Sequence, residues 1–343
     1  MVTLKAYIAS HVFQFFLSLL LLTSIIFFVV RILPGDPARL AMGPWAPEEE
    51  VEKFRHEMGF DKPLYIQYMN FLKGLFLEGK AGKSLMTYHD ALSDVLYYFP
   101  ATFELSTVAM ILGFIVGVLF GVFSAVYRNT LLDYLVRLFA TAGAAVPDFW
   151  FGILLQLFMA YWLSFFPVSG RLSSGILITR ITGLNLIDSI LTGSLIGFVD
   201  SVRHLVLPAV VLATPVIANI SRITRGSMLD ELSKDYIDQA YVNGLPGLMV
   251  IFKHALKNAS SAILTAAGMQ YAWLLGGIFV VETVFGWPGF ASYGASAALR
   301  KDINGVVAVC FVLVFVHLVV NMSVGFLHLF MDPRLRARLG EKV

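Results

Sequence analysis

Residues 226–259 read GSMLDELSKDYIDQAYVNGLPGLMVIFKHALKNA. This polar stretch lies between two apolar segments, 204–224 and 261–283. Each has the roughly 20 residues that a helix rising about 1.5 Å per residue needs to cross a hydrocarbon layer about 30 Å thick. The stretch itself has helical periodicity. Tyr236, Ile237, Ala240 and Tyr241 share one face opposite Lys234, Asp235, Asp238 and Gln239, and further on Leu248, Ile251, Phe252 and Ala255 stand opposite Lys253, Lys257 and Asn258. Between the two patterns, Gly244-Leu245-Pro246-Gly247 predicts a turn, because glycine enters positive φ without steric cost. Two short amphipathic helices fit this pattern, either lying on a membrane surface or presenting a face to a soluble partner.

The surrounding composition gives the class. Of 343 residues, 58% are hydrophobic and only 14% charged, against about a quarter charged in ordinary soluble domains, so the chain reads as a polytopic membrane protein. Six segments are long enough to span: 8–31, 103–127, 133–166, 204–224, 261–283 and 305–330. The third exceeds one straight crossing and contains Pro147, which removes a helical hydrogen bond, so one tilted span and a span plus a half-helix both fit. The first has Lys5 ahead of an apolar run longer than the roughly 7–15 residues of a signal-peptide core, and Arg31-Ile32-Leu33-Pro34 stands where a cleavage site would need small residues. It reads as a retained anchor. Segment 186–199 is apolar but short and carries Asp188, which predicts an interfacial or loop-packed piece.

Orientation follows from the basic residues. With the N-terminus inside, Arg128, Arg137, Arg222, Arg225, Lys234, Lys253, Lys257, Arg334, Arg336 and Arg338 fall on the inner side, where the Lys and Arg of short loops accumulate. Both termini and the insert are therefore expected in the cytoplasm. Cys310 is the only cysteine, which excludes an internal disulfide and a cysteine metal cage. A net charge of +2 gives no reason to expect a nucleic-acid partner.

Residues 34–100 form the one sizeable segment expected outside the membrane. Pro34, Gly35, Pro37, Gly43, Pro44 and Pro47 make a turn-rich lead-in, and Glu48–Met58 has helical spacing, so a small domain of short helices is predicted. Pro100 is expected to open the second span, since first-turn N–H groups lack helical partners anyway. Pro147, Pro208, Pro215 and Pro288 punctuate the later segments, and broken helices at membrane depth require protein or a water-filled cavity to satisfy the freed backbone.

Catalytic motifs fail on spacing. Gly79-Lys80-Ala81-Gly82-Lys83-Ser84 copies the end of a phosphate-binding loop, but the glycine required at position 77 is Leu77 and no buried strand precedes it, so a solvated loop is expected. His56-Glu57 begins a zinc-protease helix whose second histidine would stand at 60, which is Phe60. Gly294-Ala295-Ser296-Ala297-Ala298 lacks the last glycine of a nucleophile turn, and His204, His254, His317 and His328 are scattered. No metal site and no catalytic residue is predicted. Ionisable groups in a membrane are functional candidates by default, and Glu104, Asp148 and Glu282 qualify. Each is more readily a helix cap or the partner of an arginine near the interface, and Asp148, followed by Phe149 and Trp150, is the best placed to face a cavity.

The insert resembles the coupling region of ABC transporter permeases, where a Glu-Ala-Ala, three-residue, Gly signature marks the helix that docks on an ATPase; here it reads Asp238-Gln239-Ala240 and Gly244. More specifically, the chain is similar to the dipeptide, oligopeptide and nickel permease family. Arg31-Ile32-Leu33-Pro34-Gly35-Asp36-Pro37, Gly59-Phe60-Asp61-Lys62-Pro63-Leu64, Pro100-Ala101-Thr102-Phe103-Glu104-Leu105, Pro147-Asp148-Phe149-Trp150, Pro167-Val168-Ser169-Gly170-Arg171, His204-Leu205-Val206-Leu207-Pro208, Glu282-Thr283-Val284-Phe285 and Asp332-Pro333-Arg334 carry the likeness in order. Departures from the family pattern stand at Lys80, Tyr241, Asn243, Lys257 and Asn304.

The resemblance implies an all-α fold, a type I ABC importer permease of six transmembrane helices. Residues 1–33 would be the anchor helix, 34–100 the small extracytoplasmic domain, 101–330 the permease core with its coupling insert 226–259, and 331–343 a cytoplasmic tail. It implies a multi-pass protein of the cytoplasmic membrane, surrounded by lipid, that imports peptides, or nickel and other small solutes, and is not itself an enzyme. Its expected partners are a second homologous permease, two ABC ATPases that carry ATP and Mg, and an extracytoplasmic solute-binding protein. Asp235, Tyr236, Asp238, Gln239, Ala240, Gly244 and Leu245, braced by His254 and Asn258, are the expected ATPase-docking residues. Asp148, Phe149, Trp150 and Glu282 are the candidates for the translocation pathway. A secondary transporter would instead need protonatable groups at mid-membrane, and a membrane-embedded hydrolase a nucleophile with its base.

Overall fold

The computed structural model describes residues 4–32, 36–43 and 45–331. Among them the chain is helical, with one isolated β-bridge between Lys83 and Asp90. Helix α1 (Leu4–Ile32) leads into the short α2 (Pro37–Met42), α3 (Glu48–Met58) and α4 (Leu64–Lys73). Then come α5 (Ala91–Val126), α6 (Leu131–Ala145), α7 (Asp148–Leu155), α8 (Asn185–Leu191) and α9 (Leu195–Leu232). The insert supplies α10 (Asp235–Val242) and α11 (Gly247–Met249), and α12 (Leu256–Gly277), α13 (Phe279–Val284), α14 (Phe290–Leu299) and α15 (Ile303–Met331) follow. The tail expected at 331–343, with Asp332-Pro333-Arg334, lies outside the described residues from position 332 on.

By length and composition α1, α5, α9 and α15 can each cross a membrane, and α6 with α7 can do so as a bent pair. The remaining expected segment, 261–283, falls on α12, which carries Lys257, Asn258, Ser260, Ser261 and Gln270 and packs against α9, α15 and α5. It is too polar to qualify by composition alone. The third segment is two pieces, turned by 104° between Ala145 and Asp148. Pro147 causes the turn, since its ring excludes a straight continuation of the α6 hydrogen-bond ladder. Pro208 and Pro215 lie within α9 without ending it. Pro100 does not open the second span: Asp90 caps α5 by accepting from Ser93 N at 3.0 Å, and the proline falls inside the helix. Segment 186–199 divides between α8 and the first turn of α9, with Asp188 buried and accepting from the amides of Ile181, Thr182 and Gly183 at 3.2, 2.7 and 2.9 Å. Burial acts to raise that carboxyl, but the Thr182 hydroxyl and the amides outweigh it and hold it below its ordinary range.

The axis of the bundle is the pairing of α5 with α9, which run parallel and make the most extensive contact between any two elements. Gly113, Gly117 and Gly121 lie at four-residue spacing on α5, and a Cβ at these positions would meet Val216, Ile220 and Thr224 of α9 and approach the carbonyls of Ala213, Ile217 and Ser221. Lipid is as apolar as a side chain, so helix association in a membrane rests on close van der Waals packing, and small residues allow the backbones to approach. The same device recurs where Gly268 of α12 faces Val324 and Gly294 of α14 faces Val309, both on α15.

At the end of the bundle that carries residues 36–90, polar bonds fasten that segment to the spans. Asp302 is buried, accepts from Ser84 Oγ at 2.5 Å and caps the start of α15 through Gly305 N at 3.0 Å. Phe27 of α1 is buried between Tyr68 and Phe71 of α4, with ring centroids 5.4 and 5.0 Å away. A Cβ at Gly117 would lie 2.9 Å from Ile220 Cβ, whose branched side chain is stiff in a helix. Gly117→Ala should therefore cost about 1–3 kcal/mol and lower the thermal midpoint of the detergent-purified protein. Gly226→Ala, in the same long helix α9 but with nothing within 4 Å, should leave the midpoint unchanged or raise it.

Candidate functional site

The insert is a rigid projection. α9 ends at Leu232, α10 starts after Lys234, and the chain reverses at Gly244, which holds φ +76° while Leu245 N donates to Ala240 O at 3.2 Å. Beyond Pro246 the backbone runs through α11 and a wider π-helical turn, Val250–Ala255, directly into α12. Ile237, Ala240, Val250, Ala255 and Ala259 are all buried and join the core that contains α5 and α9. A tyrosine ties these helices together: Tyr236 OH donates to Glu231 Oε2 at 2.7 Å and accepts from Asn258 Nδ2 at 3.0 Å, linking α9, α10 and α12. Burial, and then the bond to Glu231, raise the Tyr236 phenol above its ordinary range, so it stays protonated and donating at neutral pH.

The expected docking residues divide into two sets on this geometry. Asp235, Asp238, Gln239 and Gly244 are exposed, while Ala240 is buried and Tyr236, Leu245 and His254 are half-buried. Asn258 is exposed but bonded to Tyr236. Around the acidic positions stands an exposed apolar collar, Tyr241, Val242, Leu248, Met249 and Phe252, with Val242 87% and Leu248 72% exposed. The sequence pattern placed Tyr241 with Ile237 on one face; in the fold Ile237 turns into the protein and Tyr241 out of it. Apolar side chains exposed beside carboxylates on a short rigid turn form a surface with the character of a protein contact.

Of the intramembrane acids, Glu104 and Glu282 are braces. Glu104 accepts from Arg171 Nη2 at 2.5 Å and from Leu186 N at 2.7 Å, joining α5 to the loop that carries Arg171 and to the first turn of α8. Glu282 is fully buried, accepts from Thr102 Oγ1 at 2.5 Å and Ser292 N at 2.7 Å, and so links α13 to α5 and to the first turn of α14. Asp148 differs, having no hydrogen-bond or ion-pair partner among the described residues. It stands at the bend between α6 and α7 beside a cavity of about 160 Å³ walled by Phe139, Val146, Phe151 and Thr214. Phe149 and Trp150 next to it are 48% and 51% exposed.

Sequence reasoning missed the cluster that organises the insert end. Asp133 of α6 is buried, accepts from both Arg225 Nε and Nη2 at 2.8 and 3.0 Å, and is also bonded to Ser124 Oγ and Asn129 N. This fork fixes α6 against α5 and α9 just above the insert. The usable signal was an acid and an arginine at the same end of two neighbouring apolar segments. Alongside, a cavity of about 410 Å³ is lined by Arg137, Thr141, Asn219 and Arg222.

Comparison with known proteins agrees with this architecture. Residues 117–337 match the family described as binding-protein-dependent transport system inner membrane component, and residues 4–106 match its N-terminal membrane component. The chain is 37% identical over 319 residues to the probable D,D-dipeptide transport system permease protein of Escherichia coli, covering 92% of this chain and 93% of that one. It is 38% identical over 319 residues to the di/tripeptide transport system permease protein of Pseudomonas aeruginosa, covering 92% and 94%. To the oligopeptide transport system permease protein of Bacillus subtilis it is 32% identical, covering 97% and 99%. A solved structure of the methionine ABC transporter MetNI in an inward-facing conformation superposes with a TM-score of 0.51 at 15% identity, over 69% of this chain and 96% of that one. That likeness shows a shared fold, the type I ABC importer permease.

Removing the Tyr236 hydroxyl breaks both links between the insert and its base, each worth about 0.5–1.5 kcal/mol. Tyr236→Phe should therefore speed amide hydrogen exchange across residues 235–245 by about 5–150-fold. Tyr241→Phe, at an exposed ring, should leave exchange there unchanged.

Proposed function

Because this chain belongs to the family of binding-protein-dependent transport system inner membrane components, we propose that it is one permease subunit of an ATP-driven importer that carries peptides across the cytoplasmic membrane. The observation that carries the mechanism is the insert: an exposed acidic and apolar turn, fastened at its base by Glu231, Tyr236 and Asn258 and continuous with α9 and α12. A force applied to that turn reaches the spans without a flexible link. Two ABC ATPases binding ATP and Mg would supply the force, an external solute-binding protein the peptide, and a second permease the other wall of the pathway.

In this reading the N-terminus, the insert and the C-terminus face the cytoplasm, in keeping with the basic residues at Arg128, Arg137, Arg222 and Arg225. Asp235, Asp238, Gln239 and Gly244, with the apolar collar, form the contact with the ATPase, while Ala240, Leu245, His254 and Asn258 hold its shape. Rigid-body movement of packed helices, rather than local unfolding, converts ATPase closure into alternating access. The ATPase need only grip the two states differently. Asp148, Phe149 and Trp150 line the pathway, where an unpaired carboxylate suits the amino group of a peptide, while Glu282 braces α13, which packs against α7, and Glu104 braces α5.

The test is reconstitution. Vesicles holding this chain with its natural partner subunits should accumulate labelled dipeptide only when ATP is inside the cytoplasmic-facing compartment and the binding protein is on the other side. Uptake driven by a proton gradient with the purified chain alone would overturn the reading. Within the insert, Asp238→Lys should reduce co-purification of the ATPase severalfold, whereas Lys253→Glu, on the supporting helix, should have little effect; equal losses would remove the division between contact and support.

A further inference from the structure

The loop Gly79–Ser84 is not simply solvated. It forms one wall of a cavity of about 450 Å³ between the end of α1, helices α3 and α4, and the start of α15. Asn304 Nδ2 donates to Lys83 O at 2.8 Å, and Gly82, at φ +95°, lets the loop sit against that asparagine, since a Cβ there would lie 3.0 Å from Asn304 Nδ2. Arg31 is set into the same cavity. Its guanidinium donates to Gln67 Oε1 and, at 3.4 Å, to Asn304 Oδ1, and it lies over the rings of Phe27 and Phe60 at 5.1 and 5.2 Å. Its Nε is buried without a hydrogen-bond partner.

The charges around the cavity do not balance. Arg31, Lys62, Lys80 and Lys83 line it, against Glu57 and Glu78. Among the described residues none of these four cations has an ion-pair partner. The ion pairs of the segment engage Arg39, Arg55 and Lys73 instead, and Glu78 is the acid that Lys73 approaches, at 4.0 Å. Location narrows the ligand. The apolar stretch of α1 ends at Val29, so Arg31 stands about 3 Å beyond it at 1.5 Å per residue, and the Arg31–Asn304 contact puts the start of α15 at the same level. That is headgroup depth, within reach of a lipid phosphate.

We infer that this cavity is a binding site for the phosphate-bearing headgroup of an anionic phospholipid, held by the fork of Arg31 with Lys80 and Lys83 of the Gly79–Ser84 loop. An arginine fork matches a phosphate bidentately, and the lysines add point charge. A bound lipid would join α1, the 36–90 segment and α15 at a place where the protein's own contacts leave four cations unneutralised.

The test uses the full-length chain purified with its natural partner subunits and offered equal amounts of phosphatidylglycerol and phosphatidylethanolamine, with retained lipid counted by native mass spectrometry. The wild type should retain phosphatidylglycerol selectively. Lys80→Gln/Lys83→Gln should lower that retention by up to about fivefold per lysine, about 25-fold for the pair at most, as expected for exposed lysine–anion pairs. Both lysines are exposed, so the exchange leaves the packing intact. Lys53→Gln/Lys257→Gln, an equal charge loss away from the cavity, should retain lipid as the wild type does. No selectivity in the wild type, or equal loss in the control, would overturn the site. Protection by inorganic phosphate alone, with no lipid retained, would overturn the assignment to lipid.

Discussion

The close approach of α5 and α9 is the constraint on which the rest of the structure depends. Three glycines one helical turn apart remove the side chains that would otherwise separate the two backbones, and the space is filled by Val216, Ile220 and Thr224 of the partner helix. Because lipid offers no hydrophobic gain for associating helices, this contact works by dispersion across a long, well-fitted seam. Everything that positions the functional surfaces is attached to one of these two helices. α6 is forked to α9 through Asp133 and Arg225, the braces Glu104 and Glu282 reach α5 or its neighbours, and the insert grows out of the end of α9.

The buried acids have one physical logic. An ionised carboxylate in a low-dielectric interior is costly unless its oxygens are bonded, and Asp133, Asp188, Asp200, Glu104, Glu282 and Asp302 all accept bonds from backbone amides, hydroxyls or arginine. All but Asp188, whose partners lie in the nearby segment 181–183, thereby tie together elements distant in sequence. Asp148, at a broken helix, and Arg31, at the edge of the bundle, depart from this pattern by lacking a counter-charge among the described residues.

The proline readings show where local reasoning holds and where it fails. Pro147 breaks its span, yet Pro208 and Pro215, equally visible in sequence, are carried inside α9. The difference is tertiary: α9 is buried on several sides by α5, α6, α8 and α12, and packing on that scale outweighs a lost hydrogen bond, whereas α6 and α7 expose much of their surface. The loop Gly79–Ser84 shows the same limit. Its spacing argued for a solvated loop, but nothing local revealed that Arg31 and Asn304, far away in sequence, close around it.

By itself the sequence determined the membrane class, the apolar segments, the polar insert with its two short helices and turn, and the family, because these are written in hydropathy, in 3.6-residue periodicity and in motifs read along a single segment. The Gly113, Gly117, Gly121 spacing was equally legible, although only its partner helix gives it meaning. The tertiary structure alone decided which face of each insert helix is free, which acids are braces, and that α6 and α7 turn on Pro147 while α9 runs through its prolines. Those outcomes depend on what lies opposite each residue, and long-range contacts such as Thr102 with Glu282 or Ser84 with Asp302 join positions whose pairing no local pattern encodes.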